Sequence, residues 1–552
     1  MQRSVFLSTF LFAAVLSPIT LYGNDCAPPA DARLATLELR VGSFHGENTI
    51  EGFDPNVFSY DARFPEEESV GVLWVRTKHP SQSIEVQYDG MPVKLVGQSV
   101  ARLDVPLGSS ELTIDVATRG PMPDSQRYVV RVERVPVFAC TEQGIREAIA
   151  RGGGPIYFDC DEPTVVPTEA EIVIDNDVIL DGEGNLIVDA QGTVPPAPGE
   201  IAPKVNGAHR VFSIPEGVTA ELLGFTVTGG STDGDGGGIL NAGTFALTSS
   251  TVSGNSAERA GGVGNLETGI LTVVASTVTS NTANLVGGIG NLGVAEMIDT
   301  SVSLNTATTD GGGVGNAGGA TMTITDSIVR SNTAGGQAGG IGSEALGILT
   351  LTNTTVADNQ AETNGGVTSG GELTMNDCVI SGNFASLATA GIAIGEEGTA
   401  TLTRVTVSDN ATEGFAGGIW LGGSLTVVDS LVSDNTAVLD GGGIYNLGEL
   451  SLISTRVAGN SADLGGGVLN VEIGTLTTAD STVSKNTAAR FGGGIRNLGL
   501  AEVTNTDVSD NTAMIAAGGI SNRPGAMMTL TGTTVQGNVA EASAAGIGNA
   551  GT

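Results

Sequence analysis

The sequence predicts an all-β protein: an N-terminal β-sandwich followed by a right-handed parallel β-helix of about 13 coils. Three observations carry this. Glycine supplies 82 of 552 residues without a collagen-like period of three, which points to a repeat with many tight turns. From residue 231 onward, a phrase of two glycines, an aliphatic residue and often an asparagine returns every 24 to 27 residues. Before it, residues 34 to 135 alternate apolar and polar side chains over short runs.

The chain opens MQRSVFLSTFLFAAVLSPITLYGNDC. Arg3 supplies a positive start, Val5 to Leu16 is apolar, and Pro18 breaks the run. The run is short for a membrane span, so residues 1 to 23 are expected to be a signal peptide and the protein exported, extracellular or on the outer cell surface. No later segment is a transmembrane candidate. Of the four cysteines, Cys26 invites a check for a lipoprotein signal, but Asn24 and Asp25 before it are the wrong residues. Cys140 and Cys160 bracket one compact segment and form the expected disulfide, and Cys378 is expected to be a small buried hydrophobe. Sixty Asp plus Glu against 24 Lys plus Arg give a net charge of −36, which repels phosphate backbones and excludes nucleic acid as a partner.

Residues 34 to 135 contain TLELRVG, VGVLWVRT, IEVQYDG, ELTIDVAT and RYVVRVERV, separated by turn residues, the pattern of an antiparallel sandwich. LATLELRVG, GFDPNVFSYDARFP and the closing RYVVRVERV resemble the bacterial cadherin-like β-sandwich domain. That resemblance implies a stalk or interaction module without catalysis. Residues 136 to 230 read as entry coils capped by a helix, with Ile145, Ala148 and Ile149 on one face, Thr141 as the N-cap and Gly152 as the stop. Such a helix would cover the first rung and protect an open sheet edge.

Residues 231 to 552 are the repeats. Each is expected to hold three strands: G-G-[IV]-x-N, an L-T-L-like segment and S-T-V. An asparagine follows the third strand at Asn255, Asn281, Asn305, Asn332, Asn359, Asn383, Asn410, Asn435, Asn460, Asn486, Asn511 and Asn538. A residue present in nearly every coil specifies the scaffold, so these form a structural ladder of stacked amides at a sharp turn. A second, incomplete ladder follows the aliphatic position, from Asn241 to Asn549. The repeats resemble the pectin-lyase-like β-helices and, more narrowly, the chlamydial polymorphic outer membrane protein repeats, with Val-x-x-Asn where that family has Phe-x-x-Asn. The resemblance implies a surface-exposed, adhesive passenger with an extracellular polysaccharide or protein ligand.

Two alternatives stand beside an adhesin-like rod: a structural envelope component, and an enzyme or binder acting on polysaccharide, since the pectin-lyase-like fold also hosts lyases and glycosidases. Lyase chemistry needs acids and a base on neighbouring coils. Asp377, Arg404 and Asp429 share one register and are the best such set. No cofactor is expected, with calcium as the exception to test. Asp233 and Asp235 in STDGDGGG, Asp299 with Asp326, and Asp409 with Asp434 are its candidate ligands. Both repeated Asp registers lie at turns, where Asp satisfies backbone N–H groups, and that structural role is the plainer reading. His45, His79 and His209 precede the repeats and are expected to be structural. Phe415, Trp420, Tyr445 and Phe491 are read as occupying different registers and therefore as scattered packing rather than a sugar-stacking patch.

Overall fold

A computed structural model describes residues 32–41, 48–50, 53–65, 69–78, 82–96, 99–105, 108–118, 124–160, 162–190 and 209–552. The expected signal peptide, Cys26, His45 and His79 lie outside the described residues. The chain divides into two compact units, Met1–Val135 and Pro136–Thr552.

The first unit is an all-β domain of two sheets. One is a three-stranded antiparallel sheet of Leu34–Val41, Val70–Thr77 and Val100–Asp104. The other has five strands, with Ser59–Pro65 parallel to Ser125–Val135 at one side. Alternation places Leu37, Leu39, Leu73, Leu112, Ile114, Val130 and Val132 in a shared core. Two tyrosines fasten the loop that enters Ser59–Pro65. Tyr60 donates to the carbonyl of Asp54 at 2.6 Å, and the fully buried Tyr128 donates to that of Pro55 at 2.9 Å.

The second unit is a parallel β-solenoid. It opens with the helix Glu142–Arg151, whose N-cap Thr141 accepts from the amide of Gly144 at 3.0 Å. The helix ends at Gly152 in left-handed geometry, φ 68°. Ile145, Ala148 and Ile149 are buried in the solenoid core, where Phe158, Phe212 and Phe225 pack edge to face. A disulfide joins Cys140 to Cys160 across this entrance, and Cys378 is free and buried.

Each coil of the repeat contributes to three parallel sheets. The first sheet takes the triplet after the glycines, as in Ile239–Asn241; it has fifteen strands, two from the entry segment and thirteen from the repeats. The second takes two strands per coil, such as Thr244–Thr248 and Thr251–Ser253. The third corrects the expectation of three strands per coil: a fourth short strand follows the ladder asparagine, as in Ser256–Arg259, giving a twelve-stranded sheet. Many of these strands have only two residues, too few to show alternation. Their signature is an alanine two residues past the asparagine, buried at Ala283, Ala307, Ala334 and Ala361 among others.

The glycine pair is explained by backbone crowding. A Cβ on Gly442 would come within 2.5 Å of the Ser461 carbonyl oxygen, and one on Gly443 within 2.6 Å of that of Gly467 in the next coil. No side chain fits either place.

Candidate functional site

The asparagines are wholly occupied by scaffold. Asn435 is typical: its Nδ2 donates to Asn460 Oδ1 at 2.9 Å and to the Val407 carbonyl at 2.9 Å, and its backbone N–H donates to the same Asn460 oxygen at 3.0 Å. The chain of amide bonds runs unbroken from Asn255 to Asn538. The second ladder runs Asn241 to Asn316, passes to Ser343, and resumes from Asn446 to Asn549.

The lyase candidates meet, but on a turn. Arg404 donates from Nε and Nη2 to the two oxygens of Asp377 at 2.6 and 2.7 Å, with both side chains half exposed. The Arg404 hydrogen bond holds the Asp377 carboxyl below its ordinary range, which weakens it as a base. Asp377, Arg404 and Asp429 all have left-handed backbone, with φ of 56°, 53° and 49°. Asp299, Asp326, Asp409 and Asp434 share that geometry, with φ between 49° and 57°. Asn353 Nδ2 donates to Asp326 at 2.6 Å. Both registers are left-handed turns; Asp and Asn, which tolerate that geometry, hold most of the register of Asp377, with Ser249, Ala275, Arg404 and Ser454 among its exceptions. Asp235 is bound bidentately by Arg259 at 2.6 and 2.9 Å, and Asp233 lies on the bend before it. Among the described residues, no group of three or more His, Cys, Asp or Glu is placed to hold a metal ion. His209 meets Thr168 Oγ1 at 2.9 Å, within the entry coils.

A concave site lies elsewhere, on the outward side of the first sheet. The middle residue of each triplet points out, and in four successive coils it is Gly264, Gly290, Gly315 and Gly342. With coils stacked about 4.8 Å apart, these glycines floor a groove roughly 15 Å long. Its volume is about 540 Å³, within the range of sites for small ligands. Ala260, Val286 and Ala338 form one wall, and Leu266, Leu292 and Ala317 belong to the other. The walls crowd the floor: a Cβ on Gly315 would sit 2.5 Å from Val286 Cγ2, and one on Gly342 would sit 2.9 Å from Ala338 Cβ. Polar groups mark the rim at the Asp235–Arg259 pair, Asp310, Gln337 and Glu344. Thr368 follows Gly342 in the column, and its buried hydroxyl has no hydrogen-bond partner.

Beyond the groove the same column continues as Ala393, Trp420, Tyr445, Leu469 and Arg496. This corrects, for Trp420 and Tyr445, the reading that the four aromatics occupy different registers; Phe415 and Phe491 lie outside this column. Trp420 and Tyr445 each follow the aliphatic residue of their coil, so adjacent rungs carry them side by side. Phe415 packs edge-on against Tyr445 with ring centroids 5.8 Å apart, and Phe491 lies over Arg496. The groove escaped sequence reading because its floor is made of glycines in a chain already rich in them. Four successive G-[IV]-G phrases, at 262–264, 288–290, 313–315 and 340–342, were the available signal.

No helix among the described residues is long and apolar enough to cross a membrane. No family model, curated protein or solved structure matches the chain.

Proposed function

We propose that the protein is a non-catalytic, exported β-solenoid of the cell surface, adhesin-like, that holds an extended polysaccharide along the first sheet. The observation that carries this is the single outward column: a groove floored by four glycines, followed in the same column, past Thr368 and Ala393, by adjacent Trp420 and Tyr445. A shallow channel with apolar walls and a polar rim suits a linear chain of sugar rings, and aromatic faces suit their C–H surfaces. Each coil advances by about the length of one sugar unit. In the same reading the repeats belong with the pectin-lyase-like β-helices and, more narrowly, with the polymorphic outer membrane protein repeats. The first unit belongs with the bacterial cadherin-like domains, a reading supported by the way Tyr60 and Tyr128 fasten the Pro55 loop.

Binding rather than cleavage is the role that this geometry favours. Asp377 is paired with Arg404, half exposed on a turn, and weakened as a base. The test is affinity electrophoresis of the purified chain through gels containing acidic and neutral polysaccharides, with product analysis of the same mixtures. Retardation without new reducing ends or unsaturated products is the expected result. Depolymerisation lost on Asp377→Asn would overturn the reading, as would mobility unaffected by every polymer.

A further inference from the structure

Three coils past Trp420, the column reaches Arg496, which is only 6 % exposed. Arginine is almost never buried to this degree unless paired. Yet its Nε and Nη1 are buried without a hydrogen-bond partner. The ring of Phe491, at the end of strand Thr487–Phe491, lies 5.2 Å from the guanidinium carbon. The nearby acids leave the group unsatisfied. Asp463 is held by Arg490 through Nε and Nη2, and Asp440 acts on Arg496 only through space. Burial, and then the charge of Arg523, push the Arg496 guanidinium below its ordinary value. Arg490 adds to that push, while Asp440 and Asp463 oppose it. Three arginines against two aspartates make this patch net positive on a chain of charge −36.

A desolvated, unpaired guanidinium is costly in a folded protein, and a planar carboxylate is the group that best satisfies its fork. We propose that Arg496 is the recognition residue of an anion site, donating to the carboxylate of an acidic sugar that lies along the first sheet. The Phe491 ring lies over the guanidinium, so admitting the carboxylate requires that ring, at its strand end, to turn aside. Tyr445 and Trp420, two and three coils away, would carry neighbouring rings of the same chain. The identity of the polymer rests on the function proposed above; the anion site does not.

The experiment is a thermal-shift titration of the full chain with glucuronate, glucose and inorganic sulfate. Wild type is compared with Arg496→Met and Arg496→Lys. Glucuronate is expected to raise the melting temperature of wild type and leave Arg496→Met unmoved, with glucose inert. Arg496→Lys keeps the charge but loses the fork, so its apparent affinity should fall about tenfold. Without ligand, Arg496→Met should melt no lower than wild type, because an unpaired buried charge has gone. An equal glucuronate shift in wild type and Arg496→Met would overturn the site. A sulfate shift as large as that of glucuronate would overturn the carboxylate assignment. Polymer electrophoresis separates the two readings. Acidic polysaccharide bound equally by wild type and Arg496→Met sinks the anion site and leaves the groove. Glucuronate bound through Arg496, with no polymer retarded, does the reverse.

Discussion

Two stretches of one column make opposite surfaces. From Gly264 to Gly342 the outward residue of the first sheet is absent in all but backbone, and a groove results. From Trp420 to Arg496 the same position carries an indole, a phenol, an isobutyl group and a guanidinium, and the groove is filled. Beneath both stretches the inward aliphatics and the Asn255–Asn538 ladder continue unchanged. The lesson is that strand alternation separates the two tasks. Inward positions hold the coil, and one outward position per coil decides what it presents. The second ladder lapses at Ser343, Ser369, Ile394 and Leu421, from the last coil of the first stretch to the first coil of the second.

The comparison breaks first if the ladder can be altered as freely as the column. Asn460→Ala removes an acceptor used by two donors of Asn435 and a donor to Asn486 and Val432. Loss of about 3 kcal/mol or more is expected, since buried polar groups are left without partners. Hydrogen exchange should show the loss centred on the neighbouring coils, as expected for a stacked repeat. Gly315→Leu sharpens the comparison from the other side. It puts a ridge where the floor is, against Val286, and should abolish polymer retardation in gels. The cost in folding is expected to be the roughly 1–3 kcal/mol of an overpacked site, visible as a modest fall in melting temperature. Tyr445→Ala and Trp420→Ala should each weaken polysaccharide binding by about 1 kcal/mol, read by calorimetry, with no change at the groove. The smallest effect belongs to Asp377→Asn. Its exposed pair with Arg404 is screened by solvent, and the depressed carboxyl adds stability only above the range where unfolded Asp titrates. Wild type should therefore melt only marginally higher than the variant at pH 7, and that margin should shrink by pH 3 as the carboxyl protonates, with melting curves at the two pH values as the check.

What could be read from the sequence was whatever repeats at a fixed offset. Val457 and Asn460, or Ile444 and Asn446, recur because every coil needs the same inward residue and the same amide. The capping helix was legible for a local reason: Thr141, Ile145 and Gly152 carry its start, its face and its stop within a few residues. The third sheet was hidden because strands such as Thr306–Ala307 are shorter than any period. The groove was hidden because a surface feature is defined across coils, 25 or so residues apart in sequence, by which residue is missing. Trp420 and Tyr445 could have been paired by counting from Ile419 and Ile444, and the register shows that they are neighbours. Arg496 carries no signal in the sequence, since nothing in one dimension marks a side chain as buried.

The ladder also has a direction. In every asparagine-to-asparagine link the Nδ2 of one coil donates to the Oδ1 of the next, and both ladders point the same way. Each coil therefore offers a donor upward and an acceptor downward, like identical bricks with a stud and a socket. Excising residues 436–460 would bring Asn435 opposite Asn486, stud to socket, whereas excising half that number would set an amide against an apolar strand. The length of the rod is thus free to drift over generations by whole coils, gained or lost by duplication, while a binding face spelled out over particular coils is not. In such a protein reach can be inherited separately from taste.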